Sequence, residues 1–224
     1  MTDRTVQILE AVIQEFIDAG EPVSSGSLYK SYDFGIKPAM IRLELDALED
    51  EGYLEQPYHS AGRVPTDRGY EFFAERALEW EGGKSRDKPL SDLLKRHAWM
   101  ELMGELSTEL GLLSVAAELA RDAVYKAGLQ QLVERMDWKD KDELRSVIRD
   151  FEEVDERLPL LRRSSYKGQA PVEVFVGRKS PVTKSECLSV IRGNYIVGDA
   201  VVSIFAIGPK NMDYKKVIET LRNL

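Results

Sequence analysis

The stretch Ile36-Lys37-Pro38-Ala39-Met40-Ile41-Arg42-Leu43-Glu44-Leu45-Asp46-Ala47-Leu48-Glu49-Asp50-Glu51-Gly52-Tyr53-Leu54 runs directly into Glu55-Gln56-Pro57-Tyr58-His59-Ser60-Ala61-Gly62-Arg63-Val64-Pro65-Thr66-Asp67-Arg68-Gly69-Tyr70. Its first half reads as a helix. Pro38 suits the first helical position, where a missing N–H is not needed. Ile41, Leu45 and Leu48 form one apolar stripe. Gly52 follows an acidic end and can adopt the left-handed conformation that closes a helix. The outward face then carries Ala39, Arg42, Leu43 and Asp46. Leu43 has two readings: an ordinary surface leucine, or an apolar group placed to meet a thymine methyl on a base edge.

The second half reads as a two-stranded ribbon. Tyr53–Pro57 and Arg63–Thr66 flank the small polar loop Tyr58-His59-Ser60-Ala61-Gly62. Prolines at 57 and 65 are tolerated on an edge strand and not in a central one. Thr66 or Asp67 then caps a helix with Tyr70, Phe73, Ala74 and Ala77 on one face. Upstream, residues 3–19 read as a helix with a core stripe of Val6, Leu9, Val12, Ile13, Phe16 and Ile17, ended by Gly20. Ser24 or Ser25 caps a second helix over roughly 25–32, with Leu28 inward. Tyr32-Asp33-Phe34-Gly35 is a turn of the helix-turn-helix type. The whole predicts a winged helix-turn-helix over residues 1–80. Ser25, Lys30, Lys37, Ala39, Met40, Arg42 and Leu43 are its candidate DNA-contacting residues on the helices. His59, Ser60, Arg63, Thr66 and Arg68 are those on the wing, where Arg63 and Arg68 make a small positive island fit for phosphates.

Glu21-Pro22-Val23-Ser24-Ser25, Gly52-Tyr53-Leu54-Glu55-Gln56-Pro57 and Ser60-Ala61-Gly62-Arg63-Val64-Pro65-Thr66-Asp67-Arg68-Gly69-Tyr70 resemble the DNA-binding domain of the heat-inducible transcription repressor HrcA family. Ile207-Gly208-Pro209-Lys210-Asn211-Met212-Asp213-Tyr214 resembles the end of that family's GAF-like domain. The resemblance implies a repressor of chaperone genes that binds an inverted-repeat operator as a homodimer, and a chaperonin as a further partner. The chain departs from the family pattern in its reading helix. Lys37-Pro38-Ala39-Met40 stands where members carry a Ser/Thr-rich start, and Leu43 stands where they carry asparagine, while Arg42 is retained. Asparagine pairs bidentately with adenine and leucine cannot, so the operator sequence is open. The chain is also short, with the missing part expected around residues 110–130.

Charge runs against a DNA-binding reading. Residues 1–80 hold seven Lys and Arg against sixteen Asp and Glu, a balance of −9, whereas residues 81–224 hold 24 basic and 23 acidic groups. DNA binders usually carry a basic footprint. The reconciliation is distribution, with Lys30, Lys37, Arg42, Arg63 and Arg68 on the presumed contact face. Few phosphate contacts and a shallow salt dependence follow.

Glu81-Gly82-Gly83-Lys84-Ser85-Arg86-Asp87-Lys88-Pro89 reads as the linker, and residues 90–224 as a reduced GAF-like domain for dimerisation or regulation. Leu90, Leu94, Trp99, Leu102, Met103, Leu106 and Leu110 keep helical spacing through 90–109. Over 111–126 alanine content favours helix and the resemblance favours two strands, which is the expectation adopted. Gly128 opens another helix through about Asp137. In 140–163, Leu144, Phe151 and Leu158, and likewise Val147, Val154 and Leu161, recur at seven; a packed core helix is favoured over a coiled coil. Residues 164–171 read as a loop. Val172–Val176 and 186–191 are strands, Arg192-Gly193-Asn194 a tight turn, Tyr195–Ile207 a third strand, and a final helix carries Tyr214, Val217, Ile218 and Leu221. The fold class is α+β, with an antiparallel sheet and long helices behind the winged helix.

No apolar run approaches the ~18–20 residues of a membrane span, and Met1-Thr2-Asp3-Arg4 leads straight into an amphipathic helix, so a cytoplasmic protein is expected. The single Cys187 excludes an internal disulfide and a cysteine zinc site, and reads as a small buried hydrophobe. The only histidines are His59 and His97. Neither has an acid–base partner in sequence, and Gly82-Gly83 is not a phosphate-cradling loop. No catalytic residue, cofactor or metal is expected. Two alternatives remain beside the repressor: a ligand-sensing GAF-like regulator, and a protein-interaction module with weakened DNA binding.

Overall fold

The computed structural model describes residues 1–80, 88–118, 121–136, 138, 141–158 and 172–224. These form two compact units, Met1–Arg76 with Asn211–Asp213, and Ala77–Lys210 with Tyr214–Leu224. Residues 81–87 of the expected linker, Asp137, Leu161 and the expected 164–171 loop lie outside the described residues. Lys88 and Pro89, expected in the linker, begin a helix instead.

The N-terminal unit contains α1 (Asp3–Ala19), α2 (Ser25–Ser31), α3 (Pro38–Asp50), the ribbon strands β1 (Leu54–Glu55) and β2 (Val64–Pro65), and most of α4 (Asp67–Glu79). Each helix begins where its sequence offers a cap. Thr2 accepts from the Thr5 N–H, Ser24 and Ser27 form a reciprocal capping box, and Pro38 occupies the first turn of α3. Gly20, Gly35 and Gly52 take positive φ at the ends and turn between helices. Ile8, Leu9, Val12, Ile13, Leu28, Ile41, Leu45, Leu48 and Leu54 are buried. Val6, Phe16 and Ile17, expected in the core, are only half-buried, because α1 turns Thr5, Ile8 and Ala11 inward instead. The inward Thr5 hydroxyl donates to Glu44 across the α1–α3 contact at 2.8 Å.

The ribbon is short: Leu54 pairs with Pro65 and Glu55 with Val64. A further bridge joins Val23 to Arg63, with N···O distances of 2.9 and 2.7 Å. This ties the segment before α2 to the returning strand. It requires glycine at 62, where an added Cβ would lie 2.4 Å from the Val23 carbonyl oxygen.

The second unit holds α5 (Lys88–Lys95), α6 (Trp99–Leu110), β3 (Leu113–Glu118), β4 (Ala123–Ala127), α7 (Leu129–Arg135), α8 (Lys141–Arg157), β5 (Val172–Val176), β6 (Leu188–Val197), β7 (Ala200–Pro209) and α9 (Tyr214–Arg222). The sheet order is β4-β3-β7-β6-β5, with every neighbouring pair antiparallel. The α+β class is thus observed, and the strands expected over 111–126 are β3 and β4. One face of the sheet, carrying Val115, Leu188, Val190, Phe205 and Ile207, packs with Leu132 of α7 and with Val147 and Val154 of α8. The seven-residue recurrence in α8 is therefore that of a core helix.

Two expectations are corrected. The helical spacing over 90–109 is broken into α5 and α6 at Arg96-His97-Ala98, where His97 has φ +57°. The turn expected at Arg192-Gly193-Asn194 is the middle of β6, and the hairpin turns instead at Gly198-Asp199, with Val197 paired to Ala200. Gly193 is there for a different reason. A Cβ on it would sit 2.4 Å from the Tyr195 hydroxyl oxygen. The Tyr195 ring folds over the bare glycine and its hydroxyl donates to the Leu221 carbonyl at 2.5 Å. Burial raises the Tyr195 pKa.

Candidate nucleic-acid interface

α2, the turn after it and α3 place the expected contact residues as follows. Ser25 is the first residue of α2 and half-buried, and Lys30 lies exposed in its last turn. Lys37 is the exposed N-cap of α3. Ala39, Met40, Arg42 and Leu43 are all exposed along α3, with Leu43 at 59%. Among the described residues no ion pair or side-chain hydrogen bond engages Lys30, Lys37 or Arg42. Tyr32, closing α2, has its hydroxyl pKa raised by burial and by the charges of Glu15 and Asp18. Asp33 fixes the turn by accepting from the Gly35 N–H at 3.0 Å.

The ribbon loop exposes Tyr58, His59 and Ser60 at its tip. Ser60 adopts φ +71°. The Ala61 N–H donates to the Tyr58 carbonyl at 2.9 Å, and Gln56 Nε2 donates to the Ala61 carbonyl at 2.9 Å.

The three residues beyond the tip do not stand as the sequence suggested. Arg63 is 12% exposed, and its Nη2 lies 2.7 Å from Asp46 and 2.8 Å from Glu49 of α3. Its Nε is buried without a hydrogen-bond partner. The Thr66 hydroxyl donates to the Gly52 and Tyr53 carbonyls at 2.7 and 3.1 Å and accepts from the Gly69 N–H at 3.2 Å, capping α4. The Arg68 guanidinium lies 4.2 Å from the Tyr53 ring centroid, donates to the Tyr53 hydroxyl at 3.2 Å, and also donates to the Glu51 carbonyl. The expected positive island is thus spent on internal fastening of ribbon to helix. The residues missed were the acceptors: Asp46 and Glu49, three apart on the side of α3 that meets the ribbon, and Tyr53. An acidic i,i+3 pair followed by a ribbon arginine was a usable signal.

In the second unit, Asp150 is 4% exposed. It accepts from the Lys184 and Ser185 N–H groups at 2.9 and 2.8 Å and pairs with Arg157. Arg192, 5% exposed, pairs across strands with Glu173. The half-buried Cys187 packs against the core, and burial pushes its thiol pKa up to about 12. A cleft between α5 and α6 is lined by Leu90, Leu93, Lys95, Arg96, Glu101 and Glu105. Among the described residues no cluster of three or more His, Cys, Asp or Glu is placed to hold a metal, and no helix is long and apolar enough to cross a membrane.

Fold and site together define a two-unit α+β protein. One unit carries a cation-flanked helix beside a short ribbon, and the other a five-stranded antiparallel sheet. The family described as HrcA protein C terminal domain matches residues 75–218, and the chain belongs to the HrcA family. Its second unit is that family's GAF-like domain. The chain is 44% identical over 112 residues to the heat-inducible transcription repressor HrcA of Alkaliphilus metalliredigens, covering 49% of this chain and 33% of that one. It is 48% identical over 88 residues to the repressor of the same name from Clostridium perfringens, covering 39% and 26%. With that from Chloroflexus aggregans it shares 39% identity over 123 residues, covering 55% and 31%. The matched stretch thus spans a third or less of each of these relatives. A crystal structure described only as a hypothetical protein at 2.2 Å resolution superposes with a TM-score of 0.79 at 17% identity, covering 100% of this chain and 97% of that one; it speaks to the fold alone.

Proposed function

We propose that the chain is a DNA-binding transcriptional repressor of heat-shock genes. Residues 1–80 act as a winged helix-turn-helix and residues 90–224 as the dimerising or regulatory domain. The observation that supports this best is the set Lys30, Lys37 and Arg42, three exposed cations on α2 and α3 with no internal partner among the described residues. α3 enters the major groove, Arg42 meets a base edge or phosphate, and His59 and Ser60 at the ribbon tip rest on the backbone. Arg63, Thr66 and Arg68 hold the ribbon at its angle to α3 and touch no phosphate. A two-fold dimer sets two such helices on the half-sites of an inverted repeat. Relatives 44% and 48% identical over part of the chain carry the name heat-inducible transcription repressor, which supports heat-shock genes as targets; a chaperonin as regulatory partner enters this reading through the family resemblance alone.

The test is a titration of the full chain against duplexes from upstream of its own gene and of chaperone genes. Arg42→Ala lowers affinity at least tenfold, the value of one good base or charged contact. Three cations per protomer give a dimer slope of log K against log[salt] near −5. Undiminished binding by a Lys30→Ala, Arg42→Ala double variant removes the site. The −9 balance of residues 1–80 favours the second reading, a protein-interaction module; absence of any salt-dependent duplex binding in the same titration selects it.

A further inference from the structure

α3 holds two large apolar side chains in solvent. Met40 is 48% and Leu43 59% exposed, and their spacing of three makes them neighbours on the helix surface. Ala39 and Leu43 occupy the row opposite the buried Ile41, Leu45 and Leu48. The next polar group along that side, Asp46, is already paired with Arg63. The N-terminal half of the outward face therefore offers methyl groups and a thioether, bordered by the cations Lys37 and Arg42. We infer that Leu43, with Met40 beside it, is a specificity-determining residue that reads the C5-methyl group of a thymine in the major groove of duplex DNA. This rests on the reading of the N-terminal unit as a duplex binder.

The chemistry narrows the choice. Leucine has neither donor nor acceptor, so it cannot pair with the N7, O6, N6, N4 or O4 groups that base edges present in the major groove. The thymine methyl is the apolar feature of those edges. A protein partner would leave the bordering cations facing a surface that must supply acids, whereas the phosphates flanking a groove supply them at every step. The apolar pair and the cationic border thus fit one occupant.

The full chain is first used to select a duplex from a random-sequence pool. Each thymine of the selected site is then replaced by deoxyuracil, which removes only the methyl group, and affinity is read by fluorescence anisotropy. At one or more thymines per half-site, removal weakens binding by about fourfold, the value of burying one methylene-sized group. Leu43→Ala binds the unmodified site correspondingly less well and no longer distinguishes thymine from deoxyuracil there. Met40→Ala reduces the discrimination without abolishing it. Both side chains are largely exposed, so unchanged circular dichroism is expected of both variants. Failure to select any duplex sinks the duplex-binding reading and this inference with it. A selected duplex indifferent to every deoxyuracil, or a Leu43→Ala variant as sensitive as the parent, overturns this inference alone. So does a Leu43→Ala variant that binds DNA as the parent does but loses a self-association seen by sedimentation, since the patch is then a contact between copies.

Discussion

Replacing Arg63 separates two roles that look alike in sequence. In the structure the side chain is 12% exposed and its Nη2 bridges Asp46 and Glu49. Those carboxylates are 47% and 35% exposed, so each pair is partly screened and contributes roughly 0.5–1 kcal/mol. The buried three-carbon stem adds about 2 kcal/mol at ~0.8 kcal/mol per methylene. Against this, the Nε buried without a partner costs about 1 kcal/mol. Arg63→Ala is therefore expected to destabilise the chain by about 2–3 kcal/mol. Arg63→Met keeps the stem and removes the unpartnered Nε, and loses no more than about 1 kcal/mol. The assay is urea unfolding of the full chain, read by far-UV circular dichroism, with Asp46→Asn completing a double-mutant cycle that isolates the ion pair. A second measurement is the salt slope of duplex binding, which Arg63→Met leaves unchanged if Arg63 neutralises no phosphate and so releases no counterion. The reasoning is refuted if Arg63→Ala unfolds at the same urea concentration as the parent while the salt slope becomes shallower by about one per protomer. That result places the guanidinium on a phosphate.

Gly193→Ala puts a Cβ where the Tyr195 hydroxyl lies, displaces the ring and breaks its bond to Leu221. A loss of about 2–3 kcal/mol is expected, against about 1 kcal/mol for Tyr195→Phe, both from denaturant midpoints. Asp150→Ala leaves Arg157 and the N–H groups of Lys184 and Ser185 short of their acceptor, and costs about 3–5 kcal/mol; an unchanged midpoint contradicts the network. Alkaline pH destabilises the second unit. The folded Cys187 thiol ionises only near about 12, above its unfolded value of roughly 8.5. Its contribution is full below the unfolded pKa and is lost as pH rises from there toward 12. The Tyr195 hydroxyl, its pKa also raised by burial, acts in the same direction. Melting temperature against pH from 7 to 11 checks this, and Cys187→Ala flattens the Cys187 part of the decline.

The elements of the N-terminal unit were legible because their punctuation is local. Pro38, the serines at 24 and 27, Thr66 and glycines 20, 35 and 52 each act within a few residues. The misreadings came where a distant partner decides. Gly193 looks like a turn residue beside Asn194, and only the return of Tyr195 across it shows why the position is bare. The break at His97 has no glycine to announce it, and the apolar spacing of Leu94, Trp99 and Leu102 carries across. Arg63 and Arg68 read as free cations because sequence does not say which acceptors face them. Asp46, Glu49, the Glu51 carbonyl and Tyr53 do, once the ribbon folds against α3.

That internal pairing also bears on the proposed function, in which an acidic unit meets a polyanion. Three of the seven cations in residues 1–80, Arg63, Arg68 and Arg76, are engaged by groups of the same unit. Arg63 pairs with Asp46 and Glu49, and Arg76 with Glu10, at the seams between elements, while Arg68 is held by Tyr53 and the Glu51 carbonyl. Of the four others, Arg4 lies in the first turn of α1, and Lys30, Lys37 and Arg42 fall in α2 and at the start of α3, while Asp50 and Glu51 close α3 at the other end. At ~1.5 Å rise per residue Arg42 and Asp50 are about 12 Å apart along the axis, more than the ~8 Å Debye length at physiological salt. A duplex phosphate beside Arg42 is therefore largely screened from the acids at the helix end. Net charge sets the long-range approach of the molecule, but the sign felt at contact is set by the first two turns of α3. There the chain offers cations and apolar groups on its outward side, and its one carboxylate, Glu44, is half-buried and turned to the Thr5 hydroxyl of α1.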